Sequence, residues 1–464
     1  METDNIIEET SFVKEEIEAV EIRKVKYQTT VKERLSCCLL GILLYFMDTM
    51  TVGRIGFGSI QGMDLQKYSS LLFVVGAISS QILFFVFSSF KMGLITTPIS
   101  ENFIAYGELS KSLHINNNLY GPQLFYTVIA FITISTFLTS LVFFTLYLLG
   151  FQRVLEKIPK EIGTVLFFVI GCLCCVYGNA SMIDIGSKYS SATKYLIIAS
   201  YSAGGLGLWV LSQHIGKRYP SFGPFSYFVN FLFLTALSYI PIFFFWGGVE
   251  EARAAGFLPS QGKNLMALFD LPLFHEFSLD RIQWSLIFNA NGFLKIAGIV
   301  LINLVQFPIN IPAITTGCSV KSSTEKELLS NGFSNMFSTI FGGFSTYVVS
   351  SSTIAYNRNK VSTKKIDGLA LVFIFSVLYI LGQTFFSFVP QACLDMLLLF
   401  IGFDILKDSI ITVWNEGAYS IFFTVCVALP TLYTQDLPIG LCIGILLSFL
   451  CCMVKKYVPS IYPF

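Results

Sequence analysis

Two clusters of small hydroxyl side chains stand where the chain is otherwise apolar: Thr96, Thr97 and Ser100 in one, and Ser350, Ser351, Ser352 and Thr353 in the other. At the start of a short helix such residues surround free backbone N–H groups and the positive end of the helix dipole, a combination that suits an anion or a carboxylate. The same small residues equally let two helices approach closely without any ligand. A second chemistry lies in ionisable groups inside apolar runs, which are costly in hydrocarbon and so point to function. Asp48 sits within LLYFMDTMTVGRIGFG, and Glu101 and Glu108 follow the first hydroxyl cluster. A buried carboxylate there would carry a proton, answer a cationic group of a substrate, or act only as a hydrogen-bonded structural contact. Arg54 and Lys295 lie near helix ends, where a long side chain reaches the membrane interface. Third, NLVQFPINIPAI sets Asn303, Gln306 and Asn310 beside Pro308 and Pro312, each of which removes a helix hydrogen bond. Amides on so distorted a stretch would form a second wall of a polar site, although proline kinks also occur in membrane helices that bind nothing.

Other chemistries have little to stand on. The three His residues, His114, His214 and His275, are isolated, and the 11 Cys fall mostly inside apolar runs without spaced CxxC pairs. They read as small buried hydrophobes, with no metal, no cofactor and no enzymatic triad expected. A net charge of +1 supplies no field for nucleic acid, so no nucleic-acid partner is expected.

The elements that must position these residues are membrane helices. Of 464 residues, 54% are apolar, 13% are charged and 16% are aromatic, which makes lipid the natural solvent and the lipid bilayer a partner. Apolar runs of spanning length fall at 36–53, 69–89, 124–150, 161–180, 195–215, 222–246, 293–316, 366–388, 390–408, 419–434 and 439–458. Three shorter stretches rich in Gly, Ser and Thr, at 94–109, 331–344 and 345–358, bring the total to fourteen crossings or half-crossings. The fold expected is an all-α integral membrane protein with weak third, ninth and tenth segments. A polar cytoplasmic stretch at 1–34 precedes a first transmembrane repeat at 35–246, an extracytoplasmic loop at 247–283, a second repeat at 284–458 and a tail at 459–464. The opening stretch is acidic early and basic late, unlike a signal peptide.

Charge gives the orientation. Lys and Arg crowd the loops on one side, among them Arg23, Lys24, Lys91, Arg153, Lys157, Lys217, Arg218, Lys364 and Lys365, while the other side holds only Lys67, Lys111, Lys188, Lys194, Arg253, Lys263 and Arg281. The bias places both termini in the cytoplasm.

An internal repeat ties the site to this architecture. Sliding the chain by 250 residues lays GLITTPISENFIAY (93–106) on GFSTYVVSSSTIAY (343–356), matching Gly93 with Gly343, Thr96 with Thr346, Ser100 with Ser350, and Ile104-Ala105-Tyr106 with Ile354-Ala355-Tyr356. Seven segments separate the two copies, so they run in opposite directions through the membrane. Inverted repeats with short, interrupted helices at corresponding places are how transporters build a mid-bilayer site. Chance enrichment in Ser, Thr and Gly, or a plain packing surface, would give the same match.

In this order the pieces resemble the membrane domain of the SulP sulfate-permease family (solute carrier 26 in animals), over roughly residues 36–458. The resemblance is carried by LLGFQRVLEKIPKEIG, TGCSVKSSTEKELLSNGFSNMFSTIFGGF and VPQACLDMLLLFIGFDILKD; NLVQFPINIPAI and LYFMDTMTVG are most similar to fungal vacuolar SulP-like proteins. It implies fourteen segments as two inverted seven-segment repeats, a core domain against a gate domain, and half-helices in segments 3 and 10 with substrate between them. It also implies anion exchange or co-transport by an elevator-type shift, commonly in a homodimer. Three features depart from the pattern. The sequence closes at Phe464, where many members continue into a STAS domain, so none is expected. SSSTIAYN lacks the Arg that many members carry in the segment 10 half-helix, and Gln306 stands where proton-coupled members have an acid.

The leading expectation is therefore a secondary active transporter of a small anion, sulfate or a related one, with or without a coupled proton. The alternatives are a vacuolar transporter of a cationic or zwitterionic solute such as a basic amino acid, with Asp48 and Glu101 answering the cation, and a membrane scaffold without turnover. An endomembrane or vacuolar location is expected over the plasma membrane.

Overall fold

The computed structural model describes residues 65–99, 101–150, 160–179, 191–219, 223–254, 257–258, 278–357, 364–381 and 388–434, with isolated positions between 38 and 49 and between 440 and 450. The chain is mostly helical. In order, the elements are α1 (Leu65–Phe87), β1 (Thr96–Pro98), α2 (Glu101–Asn117), α3 (Gly121–Leu148), α4 (Lys160–Tyr177), α5 (Ser191–Arg218) and α6 (Gly223–Pro241), which ends in a wide π turn at Ile242–Trp246. Then follow α7 (Val249–Ala254), α8 (Trp284–Ile287), α9 (Ala290–Gly317), α10 (Thr324–Ile340), β2 (Thr346–Val348), α11 (Ser350–Asn357), α12 (Lys365–Leu381), α13 (Gln391–Glu416) and α14 (Ala418–Thr434).

Among the described residues, three helices are long and apolar enough to cross a membrane, over Ser70–Phe87, Gly121–Leu148 and Ala290–Thr315, and shorter apolar helices lie at Phe167–Val176, Leu232–Phe244 and Ala418–Thr434. Large apolar side chains stand on the outside, Leu148, Phe244, Trp414 and Tyr433 among the most exposed, as lipid-facing surfaces require. Most expected segments match a helix to within a few residues; segments 1 and 14 lie largely outside the described residues. Two of the weak segments differ in extent. The third begins as a strand and continues as α2 to Asn117, beyond the expected limit at 109. The ninth, expected at 331–344, is α10 and begins at Thr324. Its polar first turns are invisible to hydropathy, yet Ser323 caps them by accepting from Lys326 N–H, and Glu325 and Glu327 favour the positive helix end.

The helices form two groups. In one, α10 packs on α3 and α1, α12 on α1, and α9 on α2, α3 and α11; in the other, α13 packs on α4, α5, α6 and α14. The first group holds the largest core, where Phe103 meets Phe344 at 4.6 Å and Tyr45 stacks on Phe375 at 5.2 Å. The groups meet where Ile302 and Val305 of α9 pack with Val165, Val169, Phe423 and Val427 of α4 and α14.

Small residues allow the closest approaches. A Cβ on Gly76 would lie 2.9 Å from Pro98 Cγ, and one on Gly368 would lie 2.6 Å from Gln81 Nε2 and 2.8 Å from the Leu94 carbonyl. Gly342, at φ 65°, turns the chain from α10 towards β2 in a conformation that costs glycine little.

Candidate functional site

The two stretches matched by the 250-residue offset meet. β1 and β2 pair antiparallel, Thr96 opposite Val348, Thr97 opposite Tyr347 and Pro98 opposite Thr346. Thr97 and Tyr347 are also equivalents by the offset, so a local twofold passes through that pair. Flanking bonds obey it: Ile99 N–H donates to Ser345 O at 2.8 Å, and its equivalent Val349 N–H donates to Ile95 O at 3.0 Å. Each strand leads directly into a helix, α2 or α11, so two helix N-termini flank one strand pair.

Antiparallel strands bond through alternate residues. With the bonds at Ile99 and Val349, the backbone groups of Thr96 and Thr346 point away from the partner strand, and Pro98 loses no cross-strand bond by lacking an N–H. A strand edge buried in an apolar interior must find other partners. Side chains supply them. Thr96 N–H donates to Gln81 Oε1 (3.3 Å) and Thr96 O accepts from the Tyr45 hydroxyl (2.9 Å). In the other copy Asn335 does both, its Oδ1 accepting from Thr346 N–H at 2.9 Å and its Nδ2 donating to Thr346 O at 3.1 Å. The threonine hydroxyls are held likewise: Ser80 Oγ donates to Thr96 Oγ1 at 2.8 Å, and Ser334 Oγ shares a 2.6 Å bond with Thr346 Oγ1.

Helix α9 joins both broken stretches. Asn303 Oδ1 accepts from Asn102 Nδ2 of α2 at 2.6 Å, while its Nδ2 donates to Thr139 Oγ1 at 2.8 Å and Ser345 Oγ at 2.9 Å. Asn310 Oδ1 accepts from Ser350 N–H, the first residue of α11, at 3.1 Å, and Asn310 Nδ2 donates to Gln306 Oε1 at 3.0 Å. Gln306 Nε2 is buried and has no hydrogen-bond partner among the described residues. It belongs to a cavity with about 250 Å³ of unfilled space, mouth included, lined by Asn303, Gln306, Asn310 and Asn331 together with Thr346, Tyr347 and apolar side chains. Among the described residues, no lining side chain carries a charge. Such a cavity offers a spare N–H donor beside the N-terminus of α11, which suits an acceptor oxygen.

Of the residues singled out in the sequence, Asn303, Gln306 and Asn310 thus come to one cavity, beside Ser350. Thr96 is wholly buried with its hydroxyl engaged by the scaffold, and Thr97 is buried with its hydroxyl donating to Pro98 O at 3.0 Å. Thr353 accepts from Ile95 N–H at 3.1 Å and Ser352 is buried. Glu101 and Ser351 occupy the first turns of α2 and α11. Asp48 and Ser100 lie outside the described residues. Gln81, Asn335, Asn102 and Asn331 were missed. The signal existed: Ser80-Gln81 and Ser334-Asn335 lie 254 residues apart, four more than the ungapped offset, so only a gapped comparison brings them together.

Comparison with known proteins agrees with this architecture. A family model described as the Sulfate permease family matches residues 194–428. The chain is 23% identical over 429 residues to the vacuolar basic amino acid transporter VSB1 of Saccharomyces cerevisiae, covering 89% of this chain and 40% of that protein, so it spans well under half the relative's length. Among solved structures it resembles the transmembrane domain of the cyanobacterial bicarbonate transporter BicA, with a TM-score of 0.59 and 13% identity over 89% of this chain and 98% of that one. It also resembles the murine anion transporter Slc26a9 in its inward-facing state, with a TM-score of 0.65 and 14% identity over 93% of this chain and 70% of that one. These two likenesses concern the fold. With half the sequence matched by the family model, the chain belongs to the sulfate permease family of membrane transporters.

Proposed function

We propose that this protein is a secondary active transporter of a small solute bearing a carboxylate, a basic amino acid foremost, held where α2, α11 and α9 converge. One observation carries the reading: the Gln306 amide N–H, without a partner among the described residues, belongs to a cavity whose described lining has no ionised side chain and whose Asn310 binds the first N–H of α11. A helix N-terminus and a neutral amide donor stabilise a carboxylate oxygen. Thr97, Ser100, Ser350, Ser351 and Ser352 complete the polar surround, and Asp48 and Glu101 answer the cationic end of the solute. The vacuolar relative supports the same solute and a vacuolar or endomembrane location. A second reading, a small inorganic anion such as sulfate, is favoured by the family match and by the two anion-carrying structural likenesses.

The architecture belongs to this reading. The local twofold at Thr97 and Tyr347, extended by the two serine–amide clamps, supports fourteen segments as two inverted halves with both termini on one side, and the Lys and Arg bias of the loops favours the cytoplasmic side. The division into two helix groups supports an elevator-type movement of the group containing the site, with a homodimer holding the other group still. A proton taken up by Asp48 would couple the cycle.

Proteoliposomes loaded with buffer and offered radiolabelled arginine or sulfate separate the two readings. Arginine uptake that unlabelled lysine suppresses, with a flat sulfate signal, is expected. Sulfate uptake without arginine uptake overturns the first reading in favour of the second.

A further inference from the structure

Helix α2 carries a polar row that the transport reading leaves unused. Asn102, Tyr106 and Ser110 recur every fourth residue, on one slowly turning face, and all three are wholly buried. Asn102 Oδ1, Tyr106 Oη and Ser110 Oγ each lack a hydrogen-bond partner among the described residues. The Tyr106 hydroxyl lies beside those of Ser135, Thr136 and Ser345 without a well-formed bond to any of them. Ser110 also breaks the habit of other helical hydroxyls here. Thr127, Thr133, Thr139 and Ser376 donate to the carbonyl four residues back, and Ser110 does not.

An unpaired buried polar atom is costly, so a dry row of three is a heavy local burden. Protein interiors meet this need with ordered water, which satisfies two to four polar groups at once. The row starts at the Asn102–Asn303 contact. Its next step, His114, is half-buried, one residue before the exposed end of α2 at 115–118.

We infer that α2 and α3 enclose a file of ordered water along Asn102, Tyr106 and Ser110, leading from Asn303 to the C-terminal end of α2. The file is a hydrated route running outward from Asn303, which also lines the cavity at Gln306, and it is too narrow for a solute and suited to passing protons by hopping between waters. It stands on burial and hydrogen bonding, whichever solute the site carries.

Two measurements on the purified full chain in lipid nanodiscs test it. Tyr106→Phe and Ser110→Ala each delete one hydroxyl. A dry row would gain stability from losing an unpaired group, whereas a hydrated row loses a water bond, so a lower melting temperature is expected in both variants. X-ray radiolysis turns bound water into hydroxyl radicals that oxidise adjacent side chains. Tyr106 is expected to be oxidised several-fold faster than Tyr126, which is equally buried. Where the melts disagree, the labelling decides. Tyr106 oxidised no faster than Tyr126 overturns the inference.

Discussion

Replacing Asn335 tests the way the strand pair is held. Its side chain satisfies both backbone groups of Thr346, accepting from the N–H at 2.9 Å and donating to the carbonyl at 3.1 Å, in a wholly buried place. Leucine keeps the branched outline, is somewhat larger, and makes neither bond. Two buried groups are then left unpaired at about 1–3 kcal/mol each, so Asn335→Leu is expected to cost about 2–6 kcal/mol. Asn335→Asp keeps the acceptor but, ionised, sets an unpaired buried charge against the Thr346 carbonyl, so a loss at least as large is expected near neutral pH. Asn335→Gln should cost least, because Gln81 serves the equivalent Thr96. Thermal melts in nanodiscs, with uptake KM alongside, would rank the three variants. A leucine variant as stable as the parent, or a glutamine variant no better than leucine, would refute the claim that side chains hold the buried strand edges.

Three further perturbations test the interior and the proposed site. Gly368→Ala sets a methyl group 2.6 Å from Gln81 Nε2 and 2.8 Å from the Leu94 carbonyl, and should lower stability by about 1–3 kcal/mol on melting, since a backbone oxygen cannot move aside easily. Asp48→Asn is expected to abolish most uptake while size-exclusion profiles stay normal; unchanged flux would remove Asp48 from the cycle. Ser351→Trp adds bulk to the first turn of α11 and should block solute entry, so a parental uptake rate in that variant would place the site elsewhere.

Much of the site was legible because lipid imposes strict rules. Long apolar runs gave α1, α3 and α9 nearly to the residue, and the Gly, Ser and Thr content of 94–109 and 345–358 betrayed helices that could not span. The repeat joined those stretches before any coordinates did, and the pairing of Thr97 with Tyr347 agrees with it. The clamps were hidden for a different reason. Gln81 and Asn335 differ by a methylene and by four residues of spacing, and a side chain that serves a distant backbone leaves no periodic trace. The start of α10 was hidden because TEKELLSN is polar at six of its eight positions. Its helix follows from a cap and from Glu327, a buried carboxylate that accepts from Ser88 Oγ, Ser89 N–H and Ser89 Oγ at the end of α1.

Helix α9 has two unlike sides. One is locked by amides to both broken stretches, and the other, through Ile302 and Val305, rests on aliphatic side chains of α4 and α14. Dispersion contacts between branched aliphatics have little directional preference and re-form after a small slide, whereas an amide bond must break before its partner can move. In the elevator-type movement proposed above, shear between the helix groups would concentrate on the greasy flank of α9, which would work as a bearing. The polar flank would travel as cargo with the strand pair, its geometry intact throughout the stroke.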